Sequence, residues 1–284
     1  LEINLEIAPI SIRGLKLMHA NVGIRLLASL AVAACLLAAN ASLGLAVPMT
    51  ITDPGLSGNT QADAWTNASL VVAANPGYGG FPGSAAWPGP INSITPTVGT
   101  NGDAQLNRLA GGALGGGPVP VTGSIYFGSF DLTANVDGGK LGVSDATPLA
   151  NVANVVYQIQ IGEATGFDFL NAVKPVLNYN GGSQALAATN LVVLEQVQNG
   201  SFNSPAGPQP IFINTYLLQW NTTALGPITS LSITFNAVQH AQLYQLRLDQ
   251  SDVFVSVPEP ASATLAGMAL LGAFGLAWKK RRAR

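Results

Sequence analysis

Charge is scarce in this sequence of 284 residues: Lys, Arg, Asp and Glu together make up 9%, against roughly 25% in an ordinary soluble protein. Histidine occurs twice, at His19 and His240, and cysteine once, at Cys35. A single cysteine closes no disulfide within the chain. A zinc site needs three or four His, Cys or acidic ligands, which are hard to assemble from this inventory. A nucleophile–histidine–acid triad would have to use His240, and no G-x-S-x-G elbow accompanies it. No glycine-rich run ends in G-K-[ST], so a P-loop is excluded. The apolar fraction of 48% rules out a highly charged disordered tail. The shortage of Glu, Lys and Arg argues against long exposed helices.

The few charges are unevenly placed. Eight of the 12 bases lie outside residues 47–257: Arg13, Lys16, Arg25, Lys279, Lys280, Arg281, Arg282 and Arg284. The middle keeps four bases against eleven acids, a net charge of −7. Nucleic acid is a poor partner for such a surface, because binding it rests on neutralising phosphates with Lys and Arg.

Residues 1–46 read as an extension followed by a secretory signal peptide, with the start placed at Met18. Arg25 closes a short basic lead, Leu26 to Ala39 form an apolar run, and small residues follow. Cleavage after Ala41 or after Ala46 fits. Val32-Ala33-Ala34-Cys35 resembles a lipobox, but the apolar run continues past Cys35 where a lipoprotein usually turns polar. Removal of this segment leaves a mature chain without cysteine.

At the other end Pro258-Glu259-Pro260 precedes Ala261–Trp278, eighteen residues without a charge, and then Lys279, Lys280, Arg281, Arg282 and Arg284. Prolines suit the approach to a helix and its first turn. At 1.5 Å per residue the apolar run spans roughly 27 Å, enough to cross a bilayer. Trp278 suits the interface, and the basic cluster predicts a cytoplasmic terminus. Triplet, apolar helix and basic tail together resemble the PEP-CTERM sorting signal of bacterial surface proteins. The resemblance covers about the last 28 residues. It implies recognition by an exosortase, a membrane cysteine protease or transpeptidase, with processing near the triplet. It also implies residence at the cell surface or in an exopolysaccharide or biofilm matrix.

Between the ends the apolar pattern has period two. Val155, Tyr157, Ile159 and Ile161 alternate with Val156, Gln158 and Gln160; Leu231, Ile233 and Phe235 with Ser232, Thr234 and Asn236; Tyr244, Leu246 and Leu248 with Gln245, Arg247 and Asp249. Phe212, Tyr216, Leu218 and Trp220 share a phase that Asn214 interrupts. A phase change within Ile125–Leu132 predicts a bulge at Gly128-Ser129. Turns are expected at Asp137-Gly138-Gly139, Asn180-Gly181-Gly182, Asn199-Gly200-Ser201 and Ser204–Pro210, loops at Asn75–Pro90 and Gly111–Pro120 (the second flexible enough for a linker), and a short helix near Phe167–Val173. The prediction is an all-β chain: an antiparallel β-sandwich of jelly-roll type over residues 47–256, wet on its polar face, then a sorting segment over 257–284 with a single transmembrane helix at 261–278.

Chemistry is sparse. His240 is expected in a strand, in a structural or surface role. Glu163 with Asp168, and Asp249 with Asp252, are the carboxylate pairs that glycoside hydrolysis would require, though sequence does not fix their separation. Asp131, Asn135, Asp137 and Asp145 bring oxygen ligands around a Gly-Gly turn without EF-hand spacing, so calcium is the one metal considered and no cofactor is expected. Tyr78, Phe81 and Trp87 in the first loop offer rings for stacking on sugars, or pack back over the sandwich edge. Asn67, Asn199 and Asn221 fit N-x-[ST] and read as turn residues. The expectation is an exported, non-enzymatic structural or adhesive protein of the cell surface, with exosortase and membrane as partners. The alternatives are an exopolysaccharide-binding module and a glycan-active hydrolase.

Overall fold

The computed structural model describes residues 48–80, 86–94, 100–112, 115–129, 137–164, 168–171, 173–204 and 207–257. The elements run β1 (Thr60–Trp65), α1 (Asn67–Leu70), β2 (Ile91–Asn92), β3 (Thr100–Asn101), β4 (Gln105–Gly111), β5 (Val119–Pro120), β6 (Ile125–Tyr126) and β7 (Gly139–Asp145). They continue with β8 (Asn154–Ala164), β9 (Val176–Tyr179), β10 (Leu186–Ala187), β11 (Asn190–Ser204), β12 (Gly207–Asn221), β13 (Leu231–Asn236) and β14 (Gln242–Ser251). The described residues are all-β, 48% strand, in two sheets. The larger is ordered β11-β12-β8-β14-β1-β3, with β6 beside β14 and β5 beside β6; the smaller is ordered β10-β9-β13-β7-β4-β2. Pairing is antiparallel throughout except between β1 and β3.

Alternation places the core. Val155, Tyr157, Ile159 and Ile161 of β8 and Tyr216, Leu218 and Trp220 of β12 meet Leu231, Ile233 and Phe235 of β13 and Leu141 and Val143 of β7 in one buried cluster. Successive strand residues point to opposite faces, so each of these strands gives every second side chain to the cluster. Phe169 joins it, with its ring 5.4 Å from Tyr216 and 6.0 Å from Phe235. In β14 the predicted phase breaks. The register shifts between Leu243 and Gln245, so Leu243, rather than Tyr244, joins Leu246 and Leu248 in the core.

The stretch Gly111–Pro120 is not a linker. Gly116, Gly117 and Pro118 are buried, and Val119–Pro120 form β5. A Cβ on Gly117 would lie 2.2 Å from the Gly128 amide nitrogen, and one on Gly128 would lie 2.4 Å from the Gly116 carbonyl oxygen. Glycine is needed here because two backbones touch, not because the chain must move. The same contact accounts for Gly128 where a bulge was predicted: the ladder stops at Tyr126, and residues 130–132 lie outside the described residues.

Three other expectations change. Asn199-Gly200-Ser201 sits within β11, where the register shifts between Gln198 and Ser201. Asp168 to Asn171 form a turn rather than a helix, because the Asp168 carboxylate accepts from the Leu170 and Asn171 amides and competes with helical pairing; Phe167 and Ala172 lie outside the described residues. His240 is in the turn before β14 at φ 71°, exposed. No helix among the described residues is long and apolar enough to cross a membrane. The predicted signal peptide, the expected helix 261–278, the triplet and the basic tail lie outside them.

Candidate functional site

The polar face of the larger sheet was expected to be wet, and it is dry. Register sets Thr215, Gln160 and Gln245 side by side across β12, β8 and β14, then Leu217, Gln158 and Arg247 in the next row. Gln158, Gln160, Thr215 and Arg247 are all buried. Two segments outside the strands cover them. The amino-terminal arm lies over the centre: Gln160 donates to the Met49 carbonyl (2.7 Å) and Gln158 to that of Thr52 (2.8 Å). The Met49 amide donates to Glu195 (2.7 Å) and the Ile51 amide to Gln245 (3.2 Å). Side-chain amides carry both a donor and an acceptor, so they can pair with an extended backbone as a neighbouring strand would.

The other segment is the chain's exit from β14. Gln219, Asn190 opposite it on β11, and Asn154 on β8 form an amide cluster. Gln219 donates to the Val255 carbonyl (2.7 Å) and to Asn154 Oδ1 (2.9 Å), while its Oε1 accepts the Val257 amide (2.9 Å). Asn190 donates to the Val257 carbonyl at 3.2 Å, and Asn154 reaches that of Val255 at 3.5 Å. Gln219 is 1% exposed, whereas Val253 and Val255 are 42% and 50% exposed. The segment is therefore held by its backbone more than by its side chains. Hydrogen bonds contribute about 0.5–1.5 kcal/mol each, and ordering backbone costs about 1–2 kcal/mol per residue. Few hydrogen bonds set against residues 253–257 leave docking near balance. The sequence carried one trace of this arrangement: no outward position of β8 or β12 is Lys or Glu, and Gln158, Gln160 and Gln219 among them are amides.

Buried ionic groups sit at three places. Arg247 binds Asp249 through two nitrogens (2.7–2.9 Å) and approaches Asp53 of the arm at 3.6 Å. Burial pushes Asp249 up to about 6, against the pull of Arg247. Asp63 accepts from Ser93 and the Ala104 amide on one oxygen, while its other oxygen has no partner; burial, with Asp145 and Asp103 nearby, lifts it to about 6. Glu163 faces the core phase of β8, where Tyr216 (3.0 Å) and Asn214 (3.3 Å) donate to one oxygen and the other is unpartnered. Burial raises it to about 8, opposed by those hydrogen bonds and helped by Asp168. Asn214, which broke the apolar phase in the sequence, is thus the partner of Glu163. The other carboxylate pair is divided between tasks: Asp249 holds Arg247, and Asp252 binds the amide and side chain of Asn59.

Tyr78 and Trp87 make an edge-to-face pair, 5.5 Å between centroids at 63°, partly buried against the core. Tyr78 donates to the Pro90 carbonyl (2.9 Å) and Trp87 to that of Pro118 (3.1 Å). They form no coplanar platform; Phe81 lies outside the described residues. A groove of about 460 Å³ lies beside Trp87, bordered by Asn107, Arg108 and Leu109. Of the calcium candidates, Asp131 and Asn135 lie outside the described residues, Asp137 caps the Gly139 amide, and Asp145 is engaged by Gln61, Gln250 and Thr147. Among the described residues no three His, Cys, Asp or Glu side chains are grouped to hold a metal ion. Asn67 opens α1 and donates to the Gly123 carbonyl, Asn199 is exposed on β11, and Asn221 caps Thr223. His240 Nδ1 is hydrogen-bonded to the Tyr126 hydroxyl.

Neither the comparison with curated proteins nor that with solved structures found a match. The family model of the PEP-CTERM protein-sorting motif matches residues 256–282, starting within the segment that Gln219 holds. The carboxy-terminal segment thus carries a PEP-CTERM protein-sorting motif, which supports a PEP-CTERM domain-containing exosortase substrate.

Proposed function

We propose that the protein is exported across the inner membrane by a signal peptide ending at Ala41 or Ala46 and is then sorted to the cell surface by an exosortase. The β-sandwich is the delivered part, structural or adhesive and non-enzymatic, in an extracellular or biofilm matrix. The strands β12-β8-β14-β1 on one side and β10-β9-β13-β7 on the other support the jelly-roll reading. Helix 261–278 holds the precursor in the membrane, with Lys279, Lys280, Arg281, Arg282 and Arg284 on the cytoplasmic side. The exosortase thiolate attacks a peptide carbonyl near Pro258-Glu259-Pro260, and the C–N bond breaks to give a thioester while the departing carboxy-terminal segment leaves as a protonated amine. Water or an acceptor amine then takes the acyl group and returns the thiol. The observation that carries this reading is the motif match at 256–282.

Replacing Pro258, Glu259 and Pro260 together by alanine should leave the chain unprocessed in the membrane. Fractionation and immunoblotting in the producing cell read the result, and processing at the wild-type level would leave only a plain membrane anchor. A second reading, binding of exopolysaccharide, draws support from the groove beside Trp87, where Asn107 and Arg108 supply polar groups next to an aromatic edge.

A further inference from the structure

We infer that Gln219 is a latch: it holds the segment before the sorting motif on the folded domain, and its release sets the rate at which the motif is processed. The inference rests on the sorting reading and adds a control step to it. Three observations carry it. First, Gln219 occupies the backbone carbonyl of Val255 and the amide of Val257 with the two ends of one side chain, and Asn190 takes the Val257 carbonyl. A protease that binds its substrate as an extended strand relies on main-chain hydrogen bonds of this kind. Latch and enzyme therefore compete for the same groups.

Second, slack is short. The apolar segment expected to enter the membrane starts at Ala261, four residues beyond Val257, a reach of at most about 14 Å. While Val257 is held, only three residues separate the folded body from the expected membrane segment, which leaves an enzyme little free chain to bind. Third, Val253 and Val255 are exposed, and Phe254 and Val257 are only half-buried and lie outside the main core cluster, so limited apolar burial opposes release. A docked and a free form then exchange readily, and only the free form presents an extended strand on both sides of the triplet. Gln219 is a positioning residue here; it touches no reacting atom.

The test uses the full-length precursor. Three variants are compared with wild type: Gln219→Ala, a six-residue Gly/Ser insertion between Val257 and Pro258, and the triple alanine replacement of the triplet. Pulse-chase in the producing cell gives the precursor half-life, and hydrogen exchange on detergent-purified precursor reports the Val257 amide. The latch predicts a half-life at least threefold shorter for both Gln219→Ala and the insertion. It also predicts that Gln219→Ala speeds exchange at Val257 at least tenfold, with β8 amides unchanged. Wild-type half-lives for both, with the triple alanine variant unprocessed, would overturn the latch and leave the sorting reading standing. Wild-type processing of the triple alanine variant would remove the sorting reading and the latch with it. Should Gln219→Ala fail to fold, the insertion decides alone, because it leaves every residue of the domain in place.

Discussion

Acidifying the folded chain from pH 9 to pH 5 should raise its melting temperature by about 10 °C, opposite to the usual acid response. The reason lies in carboxyl groups that burial holds partly protonated. Glu163 is pushed up to about 8, and Asp63 and Asp249 to about 6. In the unfolded chain all three ionise near 4. Between pH 4 and 8 the native state therefore binds more protons than the unfolded one, and stability falls as pH rises through that window. Below the unfolded values both states are protonated and the difference vanishes; above the folded values the full penalty of a buried charge is present. A few kcal/mol lost in this way corresponds to about 10 °C in a domain of this size. Glu163→Gln isolates the largest contributor. The amide keeps an acceptor for Tyr216 and Asn214 and no longer ionises, so the variant should exceed wild type at pH 9 and match it near pH 5. A melting temperature that is flat, or that rises with pH, would contradict this reading of the buried acids.

Trp87→Ala should destabilise the protein by about 3 kcal/mol, at the lower end of the range for removing a buried aromatic because the ring is only partly covered. Its indole N–H bonds the Pro118 carbonyl, and its ring meets Tyr78 edge to face at 5.5 Å. The substitution thus leaves the loop before β2 without its attachment to the β5 segment. Thermal melts should fall by roughly 5–10 °C, and retention on the producer's matrix should fall only in step with loss of folded protein. A ring that served as a sugar platform would give the opposite pair: an unchanged melt, with binding weakened by about 1–3 kcal/mol by analogy with ring stacking on nucleic-acid bases.

The core of this protein was legible because strand alternation reports which side chains avoid water. Val155, Tyr157, Ile159 and Ile161 face inward as their spacing implies, as do Leu231, Ile233 and Phe235. Alternation does not report what lies over the other face. Gln158 and Gln160 read as solvent-facing, and Gln219 alternates with Leu218 and Trp220 in the same way, yet the three bind backbone 106, 111 and 36 residues away in sequence, and pairings at that range leave no local pattern. The break in β14 was hidden because Leu243 and Tyr244 both suit a strand, and only the register shift against β8 decides which turns inward. The glycines at 116 and 117 read as flexibility, and Gly128 as a bulge, because composition does not distinguish either from a glycine in contact with another backbone. The sorting signal was legible because triplet, apolar run and basic tail are contiguous. The residues that hold its leading edge come from β8, β11 and β12, and folding alone brings them together.

The central claim is that an exosortase delivers this sandwich to the cell surface through its last 28 residues. Mass spectrometry of the mature protein recovered from its native cell surface tests it most directly, since one spectrum gives both ends and any attached group. The account predicts a chain beginning just after Ala41 or Ala46 and ending at or beside Pro258-Glu259-Pro260, with the apolar segment and basic tail gone. A surface-exposed mature chain that still runs to Arg284 would contradict it.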